Sequence, residues 1–335
     1  MPDIIKGVLL ESLNTMAIPA SAHHYVALTD LSQFELARQY AAEHKLNPFV
    51  LGEGSNTIFA SDYTGLIIHN RLLGVSKLGE EKDSVLIRAA AGEQWHSFVE
   101  HCLSLGCFGL ENLGLIPGTV GAAPIQNIGA YGVEVESFVE AVHALDIRSG
   151  KSRVFNRAEC EFGYRESVFK RKLRDQYLLT AVDFRLSRIP NTTLHYPALA
   201  QAVDAGASPQ QVFAAVCAIR SAKLPNPVEI PNSGSFFKNP VVDETQFKKL
   251  KSQFPDLVSF VTSDGYKLAA AWLIDRAGWK SQSIEGVSVH QHQALVVINP
   301  KHQPGASVLK FAYSIQRDIE QKFGVSLEIE PRIVC

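Results

Sequence analysis

The sequence predicts a folded protein of mixed helix and strand in two or three domains, and three observations predict it. The chain has 335 residues, more than one hydrophobic core ordinarily serves. Segments with the 3.6-residue helical period are interspersed with short strand-like runs of β-branched and aromatic residues. Prolines at positions 225, 227 and 231 make a stretch that cannot continue a helix and so marks a domain boundary.

The elements follow in order. Residues 31–44 have helical spacing, 48–51 form an apolar strand, and the turn-rich Gly52-Glu53-Gly54-Ser55-Asn56 comes next, an order that reads as an α/β unit. A strand over 84–90 precedes a helix near 95–105, and residues 109–132 are rich in Gly, Ala, Pro and Asn and therefore mostly loop. Strands are expected over 138–147, 152–155 and 177–186, the first two joined by the hairpin turn Arg148-Ser149-Gly150-Lys151. Ser208-Pro209 opens a helix to about Lys223, with serine as cap and proline in the first turn, and Val212, Ala215, Val216 and Ile219 form its buried stripe. Beyond the prolines, helices are expected near 244–254, 266–277 and 305–323, with strands over 293–298 and 325–334.

Composition narrows the function classes. With 46% hydrophobic and 20% charged residues the chain is neither disordered nor fibrous. A net charge of −2, with Lys and Arg scattered, gives no electrostatic support to a nucleic-acid or membrane partner, so a small-molecule ligand is favoured. The five cysteines are odd in number and lack paired ligand spacing, and the eleven histidines are scattered, so neither a disulfide framework nor a metal site is expected. The opening residues, with Asp3 and Glu11 around a short apolar run, carry no cleavage signature, and no segment is apolar for 18 residues; a cytoplasmic location is the expectation.

Several motifs could carry chemistry. Gly52–Asn56 and the long small-residue loop 117–132 permit positive φ and let backbone amides approach an anion, so together they could cradle a pyrophosphate, with two tight turns as the plainer alternative. Neither has the GxGxxG or GxxxxGK[ST] spacing, which disfavours an ordinary Rossmann or P-loop site. In Phe162-Gly163-Tyr164-Arg165-Glu166-Ser167 the arginine offers a planar fork for a carboxylate, although an Arg-Glu neighbourhood alone also fits a solvated surface pair. Asn232-Ser233-Gly234-Ser235-Phe236-Phe237-Lys238-Asn239-Pro240 sets a serine on a glycine turn before two aromatics, without the GxSxG elbow of hydrolases; a turn serine capping the backbone is the plainer alternative. In Glu328-Ile329-Glu330-Pro331-Arg332 strand alternation places the two glutamates on one face.

Taken in order, these motifs, with Lys223-Leu224-Pro225 among them, resemble the UDP-N-acetylenolpyruvoylglucosamine reductase family over roughly residues 52–332. The resemblance implies a two-part FAD-binding region of the vanillyl-alcohol-oxidase type plus a third α+β substrate-binding domain. The implied division is residues 1–72 completed by 325–335, then 73–223, then 224–324. It implies noncovalent FAD held by Gly52, Glu53, Gly54, Ser55, Asn56, Pro117, Gly118, Gly121, Ala122, Ala123, Gln126, Asn127, Gly129, Tyr131, Gly132 and Arg332, with NADPH as hydride donor. By the same resemblance Arg165, Ser235 and Glu330 are catalytic, Glu330 being chosen by counting back from Arg332. Tyr164, Tyr196, Lys223, Asn239 and Gln293 would contact the nucleotide-sugar substrate, Tyr196 marking the subgroup with a tyrosine-bearing loop. The implied reaction is ping-pong: NADPH reduces FAD and leaves, then hydride passes to the enolpyruvyl group and Ser235 protonates the adjacent carbon, in peptidoglycan precursor synthesis. A monomer is expected. Two rivals remain open at this point: another oxidase or dehydrogenase of the vanillyl-alcohol-oxidase type, which needs no Ser235, and a nucleotide-sugar sensor without turnover.

Overall fold

In the computed structural model, which describes residues 4–335, the chain divides into two compact units. Met1, Pro2 and Asp3, at the start of the first expected domain, lie outside the described residues. One unit gathers the chain up to Val8 with Ala22–Glu53 and Thr64–Ala222; the other gathers Leu9–Ser21, Gly54–Tyr63 and Lys223–Cys335.

The first unit contains two sheets with separate cores. The smaller has the strand order Ile5–Leu9, Ser21–Leu28, Tyr63–Asn70, Pro48–Leu51, and its last pair is parallel. Helix Ser32–Glu43 covers it because Phe34, Ala37 and Ala41 recur at helical spacing and face Val26, Leu28, Leu66 and Ile68. The larger sheet is antiparallel, in the order Ser152–Asn156, Val139–Asp146, Tyr177–Ser187, Ser84–Ala90, Val75–Glu80. Along Ser84–Ala90 the side chains alternate, with Val85, Ile87 and Ala89 buried against helix Trp95–Ser104 and the rings of Trp95, Phe98 and Phe184. The expected turn at 148–151 closes a hairpin: Asp146 Oδ1 accepts from the backbone N–H of Arg148 (3.0 Å) and Ser149 (2.7 Å), and Gly150 takes φ +74°.

Helix Pro209–Lys223 starts where its cap dictates. Ser208 Oγ accepts from Gln211 N at 3.3 Å while Gln211 Oε1 accepts from Ser208 N at 2.8 Å, a reciprocal capping box. Val212 and Val216 are buried, with Ala215 and Ile219 packed beside them, as the stripe predicts.

The second unit is built on a four-stranded sheet in the order Asn232–Ser235, Gln293–Ile298, Val287–His290, Ser283–Ile284, with a three-stranded sheet of Val241–Val242, Gly265–Leu268 and Ser259–Thr262. Helix Gly305–Phe323 buries Val308, Phe311, Ala312, Ile315 and Ile319. Two expectations need correction. The helix expected over 266–277 spans only Ala270–Arg276, because Gly265–Leu268 is a strand paired with Ser259–Thr262 across a tight turn. The strand expected over 325–334 is regular only at Arg332–Val334, since Pro331 has no N–H with which to continue a ladder. The short strand instead pairs in parallel with Thr57–Phe59.

Gly54 joins loop chemistry to this packing. Its φ is +64°, and a Cβ there would lie 2.1 Å from Leu13 O. Gly54→Ala is therefore expected to destabilise the protein by about 2–4 kcal/mol, combining left-handed backbone strain with a backbone clash. Urea unfolding of the variant checks this; a midpoint equal to wild type would remove the constraint.

Candidate active site

In the first unit the small-residue loop is laced to the chain around it by backbone bonds. Trp95 N donates to Gly118 O (2.9 Å), Val120 N to Glu93 O (2.8 Å) and Gly121 N to Ala91 O (2.9 Å). Gly121 is demanded by this close approach, since its Cβ would meet the Ala91 Cβ at 2.5 Å. Gly118 N donates to Glu53 Oε2 at 2.9 Å, which ties the two glycine segments together. Burial raises the Glu53 pKa above the ordinary carboxylate range, and the Gly118 N–H opposes that shift. Glu53 thus meets the loop through its own carboxylate.

The loop ends in a hairpin, Gly129–Ala130 against Val133–Glu134. Its two turn residues, Tyr131 and Gly132, have φ +50° and +83°, the backbone of a type I′ turn. A tyrosine in that left-handed position is strained, and such strain collects at functional sites. The Tyr131 ring meets that of Tyr196 edge-on, at 5.1 Å between centroids and 75°. Asn112 Nδ2 donates to both Tyr131 O (3.0 Å) and Thr193 O (2.9 Å), holding the hairpin to the segment that leads to Tyr196. Tyr196 is 43% exposed and sits at the N-cap of the short helix Pro197–Ala200, where proline fits the first turn.

Arg165 is set by a second tight turn. Gly163 and Glu166 exchange backbone bonds of 3.1 and 3.0 Å, leaving Tyr164 and Arg165 at the tip, with Arg165 at φ +56°. That position ordinarily takes glycine or asparagine, so the arginine side chain is presented at a conformational cost. Ser167 Oγ donates to Ile125 O at 2.5 Å, and Asn127 Nδ2 donates to Gly163 O at 3.1 Å, so the turn is fastened to the small-residue loop. Asn127 is fully buried and its side chain is committed to protein: it also donates to Glu134 Oε2 (2.9 Å) and accepts from Glu136 N (3.1 Å). The Asn127 side chain thereby ties the Arg165 turn to the hairpin. Gly129 lies beside Arg165 Nη1, 3.5 Å from where a Cβ would stand.

Arg220 was missed by the sequence reading. Its Nε donates to Leu115 O at 3.3 Å, burial depresses its pKa, and Tyr131, Cys217 and Arg165 are its electrostatic neighbours. No carboxylate is among them. The available signal was its place one helical turn before Lys223.

The second unit arranges its residues through strand pairing. Asn232 anchors the segment: its Nδ2 donates to Pro225 O and Ile230 O, and its Oδ1 accepts from Gly234 N. Ser235 ends that strand with its residue exposed, while Phe236 and Phe237 are buried. The C-terminal segment pairs directly with this motif, with Glu330 N donating to Phe236 O (2.9 Å) and Lys238 N to Glu328 O (2.9 Å). Glu330 therefore lies next to the Ser235-Phe236-Phe237 segment by backbone register. Glu328 is 64% exposed and ion-paired to the buried Lys238 at 2.5 Å, whereas Glu330 is half-buried. Arg332 N donates to Asn56 O (2.8 Å), which brings the terminal arginine to the GEGSN loop. Asn239 Oδ1 accepts from Ala270 N at 3.0 Å and so caps a helix, Gln293 opposes His290 at its strand start, and Lys223 is exposed at the end of its helix.

A family profile described as FAD binding domain matches residues 22–156, and one described as UDP-N-acetylenolpyruvoylglucosamine reductase, C-terminal domain, matches residues 226–334. The chain is 44% identical over 333 residues to the UDP-N-acetylenolpyruvoylglucosamine reductases of Burkholderia ambifaria and Burkholderia cenocepacia, covering 97% of this chain and 95% of each relative. Its fold is that of the crystal structure of UDP-N-acetylenolpyruvylglucosamine reductase from Thermus caldophilus, with a TM-score of 0.70 at 20% identity over 100% of both chains. The chain belongs to the UDP-N-acetylenolpyruvoylglucosamine reductase family.

Proposed function

We propose that this protein reduces the enolpyruvyl group of UDP-N-acetylglucosamine enolpyruvate to give UDP-N-acetylmuramate, using NADPH and noncovalently bound FAD, as a cytoplasmic monomer in peptidoglycan precursor synthesis. The observation that carries the reading is the backbone pairing that sets the exposed Ser235 beside Glu330. A reductase of an unsaturated acid must supply a proton as well as a hydride; an oxidase of an alcohol needs no such serine.

The residues fit the cofactor. A pyrophosphate-bearing flavin calls for small residues and for cationic charge, and the chain offers a laced glycine loop with Arg220, a half-buried guanidinium whose electrostatic neighbours are Tyr131, Cys217 and Arg165. When bound, FAD supplies the hydride it has received from NADPH. The chain's own residues then manage charge and protons. Arg165 presents its fork to the substrate carboxylate, toward which negative charge moves as the double bond is reduced. Glu330 would donate a hydrogen bond to that developing charge in its protonated form. Ser235 delivers a proton to the carbon adjacent to the one that takes hydride, so one hydride and one proton saturate the bond. Glu53 and Asn127 act from behind, by fixing the loop through Gly118 and Gly163. Lys223, Asn239 and Gln293 are proposed to meet the nucleotide sugar, with Tyr164 and Tyr196 on exposed turns to cover it. The three-part division into 1–72 with 325–335, 73–223 and 224–324 is proposed too, supported by the two separate cores of the first unit and the pairing of Arg332–Val334 with Thr57–Phe59.

Purified protein is expected to be yellow, with flavin absorbance, to oxidise one equivalent of NADPH per flavin on its own under anaerobic conditions, and to oxidise NADPH catalytically there only when the enolpyruvyl nucleotide sugar is present. Colourless protein that FAD cannot reconstitute would overturn the reading, and turnover of alcohols without that sugar would favour the oxidase.

A further inference from the structure

We propose that Glu134 is a positioning residue that orients the Arg165 guanidinium, with Asn127 as the pin that holds carboxylate and arginine turn in one frame. The inference rests on the role given to Arg165 above and adds a residue that no motif had singled out.

Three observations carry it. Asn127 is fully buried and its amide donates in two directions, to Glu134 Oε2 at 2.9 Å and to Gly163 O at 3.1 Å, the second being the first residue of the turn that presents Arg165. One side chain therefore sets the distance between the hairpin and the turn. Second, Gly129 pairs with Glu134 across the hairpin, and the space that a Cβ would fill there is bordered by Glu134 Cγ at 2.9 Å and Arg165 Nη1 at 3.5 Å. The carboxylate arm and the guanidinium thus flank one vacant methyl site. Third, Glu134 and Arg165 interact electrostatically, in the direction that favours the charged carboxylate. Burial and the neighbouring Glu136 push the Glu134 carboxyl above its ordinary range, while Arg165 and the Asn127 amide oppose them. A guanidinium carried at φ +56° on a two-residue tip gains from an anion fixed beside it, because a positioned carboxylate narrows the rotamers in which the fork points one way.

The test is a double-mutant cycle on the FAD-loaded enzyme, with the two half-reactions followed separately. Glu134→Gln keeps the shape and a carbonyl acceptor for Asn127 but removes the charge, so a purely structural role would tolerate it. We expect a loss of about 10-fold in the substrate half-reaction, with the flavin spectrum and flavin reduction by NADPH unchanged, and no further loss when the same change is made in Arg165→Ala. Glu134→Asp is expected to recover part of the rate. Equal losses in both backgrounds, or a rate that Glu134→Gln leaves intact while Arg165→Ala lowers it, would overturn the proposal alone. If Arg165→Ala itself leaves the substrate half-reaction unaltered, the role of Arg165 falls first and this inference with it.

Discussion

Replacing Ser235 by alanine is expected to slow the substrate half-reaction by at least about 10²-fold while flavin reduction by NADPH stays nearly unchanged. The asymmetry follows from what each half-reaction needs. Transfer from NADPH moves a hydride and asks nothing of a protein hydroxyl, whereas saturating the enolpyruvyl bond requires a proton at carbon. Ser235 sits at the exposed end of its strand, and the backbone bond from Glu330 N to Phe236 O holds it one residue from the acidic partner. Removing one hydroxyl from an exposed position leaves that pairing intact, so folding and FAD content are expected to be those of the wild type. Anaerobic stopped-flow traces of both halves decide the matter: equal slowing in both would show that the serine supports structure and does not deliver the proton.

Arg165→Lys is expected to lower turnover by about 10²-fold or more while FAD binding changes little. Lysine keeps the positive charge but presents a point where arginine presents a planar fork, so the variant asks whether geometry or charge does the chemistry. The backbone sharpens the comparison. Arg165 stands at φ +56°, and lysine meets the same strain there, so the two enzymes differ mainly in the head group. Titration with FAD alongside steady-state kinetics gives the answer, and a lysine variant with wild-type turnover would remove Arg165 from the mechanism.

Much of the fold was legible because it is written in local patterns. The helices Ser32–Glu43, Trp95–Ser104, Pro209–Lys223, Glu244–Gln253 and Gly305–Phe323 fall where periodicity and caps put them. What failed did so for tertiary reasons. Lys267 and Leu268 read as the start of a helix because their spacing runs into Ala270 and Leu273, but hairpin pairing with Ser259 and Phe260 claims them for a sheet. The strands Tyr63–Asn70 and Ser21–Leu28 were passed over: Tyr63–Asn70 is buried at seven of its eight positions and shows no clean alternation.

The candidate site divides in the same way. Order and identity of the motifs marked out Arg165, Ser235, Glu330 and the two glycine segments, because a sequence states directly which chemical groups it contains. The ion pair that Glu328 makes depends on Lys238, some ninety positions earlier in the chain, and no local spacing encodes that pairing. Arg220 and Glu134 likewise look like ordinary charges on a helix and a hairpin until folding sets one against Leu115 O and pins the other to Asn127. The sequence alone determined the repertoire of donors, forks and flexible turns. Only the tertiary structure decided which of them face one another, since burial and long-range register are properties of the packed chain that no short segment possesses.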